Sequence, residues 1–459
     1  MFTDPDLFSD VELPDLSAAE LDEITGRFPH ARRLLEVDGT VGDYYAGLTV
    51  DGTTFQAGRA ELFLAALKRH IDALFPPGTS TGVIDQLTRA PVLSAAEHMA
   101  SITNPESLNV VVNQALYQRR QRQKYVLALP ITAIRLDNIL LSRDLFVGDR
   151  KVRLLPSKYR DTLATDAPAA DGEFVRRNLE AVLADGPDAV RARAAELRRW
   201  WERTSRDISS LDTLWKQLVV LNHAYWKELV HANHWDLPDE YVTVPMCVLV
   251  RDAILAELEA GHDGWFHRMI LDPATRDTVY RVFDGVRSCW DSRTGGGTFL
   301  FWTMNKKGEP RAMAYEDGAL RSTGVAGALP LTRESLLEAL RSGAVYPGTF
   351  LVMAYLGFHL GLQLFGGILC AQFYPEMHRR ITEGNPLGLS AADLRTIEAV
   401  RTDLYVNFER RKLADGGLLK LWYPQSADTY DEYRDRPFRH EIMGCLGYLL
   451  EMVRKGEGA

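Results

Sequence analysis

One uncharged run constrains this chain more than any other feature. Residues 349–373, TFLVMAYLGFHLGLQLFGGILCAQF, contain no Asp, Glu, Lys or Arg. A stretch of that length either crosses a bilayer or fills the middle of a protein core. Three observations favour the core. The run is alone in the chain, it carries His359, Gln363 and Gln372, and the Gly366–Gly367 pair ends or breaks a helix. The expectation is a helix buried at the centre of a globular protein, with no membrane partner. The N-terminus, MFTDPDLFSDVELPDL, is acidic and lacks the basic and apolar regions of a signal peptide. The four cysteines, Cys247, Cys289, Cys370 and Cys445, are far apart and form no CxxC pair. They read as free thiols of a reducing compartment, so a cytoplasmic location is expected. With 53 Lys and Arg against 62 Asp and Glu, the net charge of −9 argues against nucleic acid as a partner.

The 459 residues suggest several folding units. Residues 1–90 form an N-terminal helical region, in which Ser17 and Glu20 make a capping box. Residues 91–170 change character. Two runs rich in β-formers, Val110–Val112 and Tyr125–Ile134, flank the charged stretch QRRQRQK, which suggests the first part of an α/β core. Residues 171–288 read as a helical insertion. Residues 289–380 complete the core with a β-hairpin (TFLFWTM, a turn at NKKGEP, RAMAYE), a capped helix LTRESLLEALRSG and the apolar helix. Residues 381–459 form a C-terminal helical region. The predicted class is therefore α/β and helix-rich, a Rossmann-like parallel-sheet core with flanking helical regions.

Most chemistries with a short signature are absent: there is no GxxxxGK[ST], no GxGxxG after a strand, no HExxH and no GxSxG. Four constellations remain. Glu97-His98 precedes the first expected strand, and His98 is suited to general acid–base work near neutral pH. Arg135-Leu136-Asp137-Asn138, followed by Arg143, comes after the strongest strand candidate, where open α/β sheets bind ligands. There Asp137 and Asn138 offer acceptor and donor groups, and Arg135 and Arg143 could clamp a carboxylate or phosphate. Pro130 is the awkward residue of that strand, since it cannot donate to a ladder. Tyr355, His359 and Gln363 recur every four residues, which predicts one helix face and a shared network or pocket wall. Finally, Glu228 and His231 form an ExxH pair with His234 one turn on, the alternative metal site; the second ExxH that di-iron bundles need is missing, so no metal is the primary expectation.

The order of elements between residues 90 and 380 resembles the cysteine-adding enzymes of bacillithiol synthesis, the BshC family. The shared features are the aromatic strand TFLFWTM with its partner RAMAYEDGAL, the capped helix, Val345-Tyr346-Pro347 and the apolar helix ending in Gly366–Gly367. The segment ESLNVVVNQALYQRRQRQKYVLALPITAIRLDNI matches that family's first strand, helix and second strand in layout. The resemblance implies a Rossmann-like core binding a small substrate, with Asn113-Gln114 in place of the family's glycine loop and Asp137-Asn138 in place of its acidic-histidine cluster. It does not extend to the family's C-terminal coiled coil, and it does not imply cysteine transfer.

The leading expectation is an enzyme of specialised metabolism, a C–N bond-forming ligase or transferase acting on an amine or amino acid. His98, Asp137 and Asn138 would be catalytic. Arg135, Arg143, Asn113, Gln114, Tyr355, His359, Gln363, Gly366 and Gly367 would contact the small-molecule substrate. Two other classes stand beside it: a helical, non-haem iron oxygenase using Glu228, His231 and His234, and a non-catalytic, BshC-like binding subunit. The residues name no cofactor, and a homodimer is left open.

Overall fold

A computed structural model describes residues 16–50, 52–103, 105–131, 136, 144–147, 150–186, 188–286, 290–293, 296–305, 308–322, 325, 327–367, 370–405, 434–439, 442–443, 446 and 449–450. Its centre is a four-stranded sheet. Val92–Ser94 (β1) leads through a buried loop into the helix Pro105–Arg120 (α1) and then into Tyr125–Ala128 (β2). Glu240–Thr243 (β3) follows a long helical excursion. Then come the helices Met246–Glu259 (α2) and Trp265–Leu271 (α3), and later Arg333–Arg341 (α4) and the fourth strand of this sheet, Gln363–Phe365 (β4). The spatial order is β4-β1-β2-β3, and every pair is parallel. Parallel strands are covered on both faces and need no polar alternation. Accordingly β1, β2 and β4 are buried throughout, and β3 is buried but for Glu240. This is the helix-rich α/β architecture with a Rossmann-like parallel core that the sequence predicts.

The two faces of the sheet carry different layers. Val92, Val126, Ala128, Tyr241 and Phe365 pack with α1 and the N-terminal helices. Leu93, Tyr125, Leu127, Val242 and Leu364 pack into the larger core with α2, α3 and the apolar segment. Asymmetry in the chain path sets a switch point. From β1 the chain moves outward through β2 to β3, then returns to the opposite edge as β4 beside β1. Open α/β sheets place ligands outside the carboxyl ends of strands at such a point.

Four local expectations change. Val110–Val112 lies within α1, not in a strand, and the first strand is Val92–Ser94. The three valines form a β-prone run, but Asn109, Asn113 and Gln114 around them follow helical spacing, and all six are buried. Glu240–Thr243, inside the span expected to be a helical insertion, is one of the two edge strands of the sheet. Val345–Pro347, expected as a turn, pairs antiparallel with Phe301–Met304 of the hairpin. The hairpin itself forms as expected, with Trp302 opposite Ala312. β2 also ends at Ala128, so Pro130 lies past the ladder, and its carbonyl accepts from Met246 N at 2.9 Å.

The apolar run is not one helix. Thr349–Met353 is α-helical, Ala354–His359 forms a π-helix, and Gln363 opens β4. Gly361 makes the break. Its φ of +72° belongs to the left-handed region, and a methyl there would overlap the Thr54 carbonyl. No helix among the described residues is long and apolar enough to cross a membrane.

Candidate functional site

At the carboxyl end of β1 the chain does not turn out to solvent. Residues 95–103 stay buried except for half-buried His98, which a loop tolerates only when its backbone groups are paired. Leu129 N donates to Ser94 O at 2.7 Å, Ile131 N to Glu97 O at 2.8 Å, and Met99 N to Ile131 O at 3.1 Å. Asn222, from the helix Leu214–Ala232, accepts from Ile102 N at 3.1 Å and donates to Ala100 O at 2.8 Å. The loop is thereby fixed from both sides.

Inside it sits Glu97, 3% exposed. Its Oε2 accepts from the Ser94 hydroxyl, while its Oε1 has no hydrogen-bond partner among the described residues. Burial raises the carboxyl to about 7, against the partial offset of the Ser94 hydroxyl and nearby backbone amides. A carboxyl at that value exchanges its proton at neutral pH. The row across the strand ends is small: Ser94 is opposite Ala128, and Ala128 opposite Thr243. In-register partners of a parallel sheet share a face, so all three point to the α1 side. Thr243 Oγ1 is buried and has no partner among the described residues. Tyr241, one step back on that face, is pushed well above its ordinary value by burial and by the Glu97 charge, so it stays a neutral phenol.

The expected site residues distribute as follows. His98 lies at this strand end, bridged to Ile131. Asn113 and Gln114 are fully buried on α1; Asn113 Nδ2 reaches Asn109 Oδ1 at 3.2 Å and Gln114 Nε2 donates to the Leu127 carbonyl of β2. Gly366 directly follows β4, bridged to Tyr405 with its amide donating to Leu404 O, and Gly367 comes next. Arg135, Asp137, Asn138 and Arg143 lie outside the described residues. Glu97 stands in the segment that the sequence singles out, yet its neighbour His98 attracts the attention there; the signal for Glu97 is an acid flanked by Ala95, Ala96 and Met99, all buried.

Tyr355, His359 and Gln363 are all buried, but they do not share one helix face. Gln363, the first residue of β4, ties Thr54 Oγ1 (2.9 Å) to Arg401 N (2.8 Å). Tyr355 and His359 belong instead to a second polar group at the other side of the sheet. There Tyr355 Oη donates to Glu257 Oε1 at 2.6 Å. Glu257 Oε2 lies 2.9 Å from His267 Nε2 and 3.8 Å from His359 Nε2. His359 stacks on Phe266 with ring centroids 5.0 Å apart, and burial holds it well below the ordinary imidazole value, hence neutral.

The ExxH alternative does not gather a metal-ligand set. Glu228 faces Arg203 at 3.1 Å, and His231 pairs with Asp239 at 2.8 Å. Both contacts lie at the surface, and Glu228, His231 and His234 are not a group whose ligand atoms converge. Among the described residues, Glu257, His262 and His267 are the group whose ligand atoms converge, all within 4.8 Å of one another. No protein-family model matches the chain, and comparison with curated proteins finds no match.

Proposed function

We propose that the chain is a small-molecule enzyme, a C–N bond-forming ligase or transferase whose amine or amino-acid substrate binds over the carboxyl ends of β1 and β4. The observation that carries this reading is Glu97, a buried carboxyl raised to about 7 at the switch point of an all-parallel sheet, with one oxygen unpartnered among the described residues. Amines are protonated at neutral pH and must lose a proton before they attack an electrophile. A carboxylate near 7 attracts the ammonium form and then accepts its proton, which joins recognition and activation in one group. His98 is the second proton-handling group on the same loop. Asp137 and Asn138 enter the reading from the sequence as groups orienting the amine, and Arg135 and Arg143 as groups holding an acidic portion of the substrate.

The test is a thermal-shift screen of the full chain against amino acids, polyamines and amino sugars, run in parallel on Glu97→Gln. An amine should raise the melting temperature of the wild type and leave the variant unmoved. A ligand that stabilises both equally would place binding elsewhere, and stabilisation only by anions lacking an amine would refute the substrate class.

A further inference from the structure

Glu257, His262 and His267 follow an E-x4-H-x4-H spacing that no zinc-protease signature uses, and only the corner between two helices brings them together. Glu257 lies in the last turn of α2, and Gly261, at φ +80°, turns the chain out of that helix. His262 N then closes back onto Glu257 O at 3.0 Å. Gly264 starts α3, which presents His267 in its first turn. The corner is braced from α4: Arg333 donates to Leu258 O at 2.6 Å and to His262 O at 2.9 Å.

Two features of the group are poorly explained by packing alone. Glu257 and His267 are 0% and 1% exposed, yet neither His267 nitrogen, nor Glu257 Oε2, nor either nitrogen of 4%-exposed His359 has an aligned hydrogen-bond partner among the described residues. Buried polar atoms are normally satisfied, because each one left unpaired costs the fold. In addition, the Glu257 Oε2 and His267 Nε2 atoms approach to 2.9 Å without hydrogen-bond alignment. Atoms aimed at a common point, not at each other, have this arrangement.

We propose that Glu257, His262 and His267 bind a divalent first-row transition-metal ion, and that His359 stands beside its open coordination position. Two imidazoles and one carboxylate form a donor set that suits zinc, iron(II), manganese or cobalt and leaves coordination positions free. Tyr355 is the outer partner of the carboxylate, held by its 2.6 Å hydrogen bond and fixing which oxygen is free to ligate. His262 is half-buried, so it is the ligand that faces the entry route. This site lies before the amino end of β4, separate from Glu97 at the carboxyl ends, and its loss leaves the amine reading untouched.

The experiment uses the full chain, stripped with a chelator and titrated with cobalt(II), whose visible bands report nitrogen–oxygen coordination, followed by displacement with zinc. One equivalent should bind, and zinc should raise the melting temperature. His262→Ala is the decisive variant, because a half-buried side chain is removed without opening the core; circular dichroism confirms its fold. Its cobalt affinity should fall by about 100-fold, since losing a ligand costs at least as much as losing an outer partner. Tyr355→Phe should weaken binding by roughly 10-fold on the same scale. Absence of cobalt bands in the wild type, or a loss below tenfold in His262→Ala, would overturn the proposal, the latter because the ion would then be held elsewhere.

Discussion

Glu97→Gln tests the sheet-end site through stability alone, without knowledge of the substrate. The carboxyl stands at about 7 in the fold against an ordinary 4.5. Each tenfold difference in proton affinity corresponds to about 1.4 kcal/mol, so ionising Glu97 inside the protein is worse than ionising it in the unfolded chain by on the order of 3 kcal/mol. Glu97 is buried, so solvent does not screen this difference. Below pH 4.5 the carboxyl is protonated in both states and the penalty is absent. As pH rises towards 7 the unfolded chain has released its proton while the folded protein keeps it, and stability falls until the folded form ionises too. Glutamine has nearly the same shape and never ionises. The stability of the variant minus that of the wild type should therefore climb by about 3 kcal/mol between pH 4.5 and pH 8, whatever constant offset the amide introduces. Urea unfolding followed by tryptophan fluorescence at several pH values reads this difference directly. Two curves that run parallel within about 0.5 kcal/mol across the range would show that Glu97 is not the raised carboxyl, and the proposed proton acceptor would be lost.

Other positions give independent checks. Gly361→Ala should destabilise the protein by about 2–4 kcal/mol, because it combines a left-handed φ with overlap on the Thr54 carbonyl; an unchanged urea midpoint would contradict the tight contact. Tyr355→Phe removes the hydroxyl that donates to buried Glu257 and should cost roughly 1–3 kcal/mol in the metal-free protein, read by the same unfolding assay. Cys370 is buried, and burial pushes its thiol up to about 12. Iodoacetamide at pH 8 should leave it unmodified in the native protein and alkylate it in urea, as mapped by mass spectrometry.

Patterning in the sequence carries the class of the fold because the strongest local signals are unopposed by tertiary structure. Ser17 caps the helix Ala18–Arg27 with Glu20 reciprocating, and Thr332 caps α4, as their spacing predicts. The hairpin forms around its glycine-containing turn. The errors share a physical origin. A buried helix and a buried strand both read as short apolar runs, so Val110–Val112 looks like a strand while Val92–Ser94, three residues long, carries too little pattern to notice. The apolar run reads as a single helix because helical period alone cannot reveal that the Thr54 carbonyl occupies the space beside Gly361. The same limit hides the Glu257–His262–His267 group: its members are spaced by five, off any helix face, and meet only through a corner. Glu97 belongs to a loop whose backbone at Ala100 and Ile102 is held by Asn222, more than a hundred residues away, a pairing that no local pattern reveals.

The late arrival of β4 has a consequence for synthesis on the ribosome. β1 is complete at Ser94, but the strand that covers its outer edge ends at Phe365, roughly 270 residues later. At translation rates of about 5–20 residues per second, that interval lasts on the order of 15–50 s. Throughout it, the nascent chain presents an apolar strand edge with unpaired amides and carbonyls, the kind of surface that captures other strands. Cells producing this protein are expected to shield that edge with a holding chaperone, and expression at lower temperature with such a chaperone in excess should raise the yield of folded chain. The centre of the sheet is thus begun early and closed last.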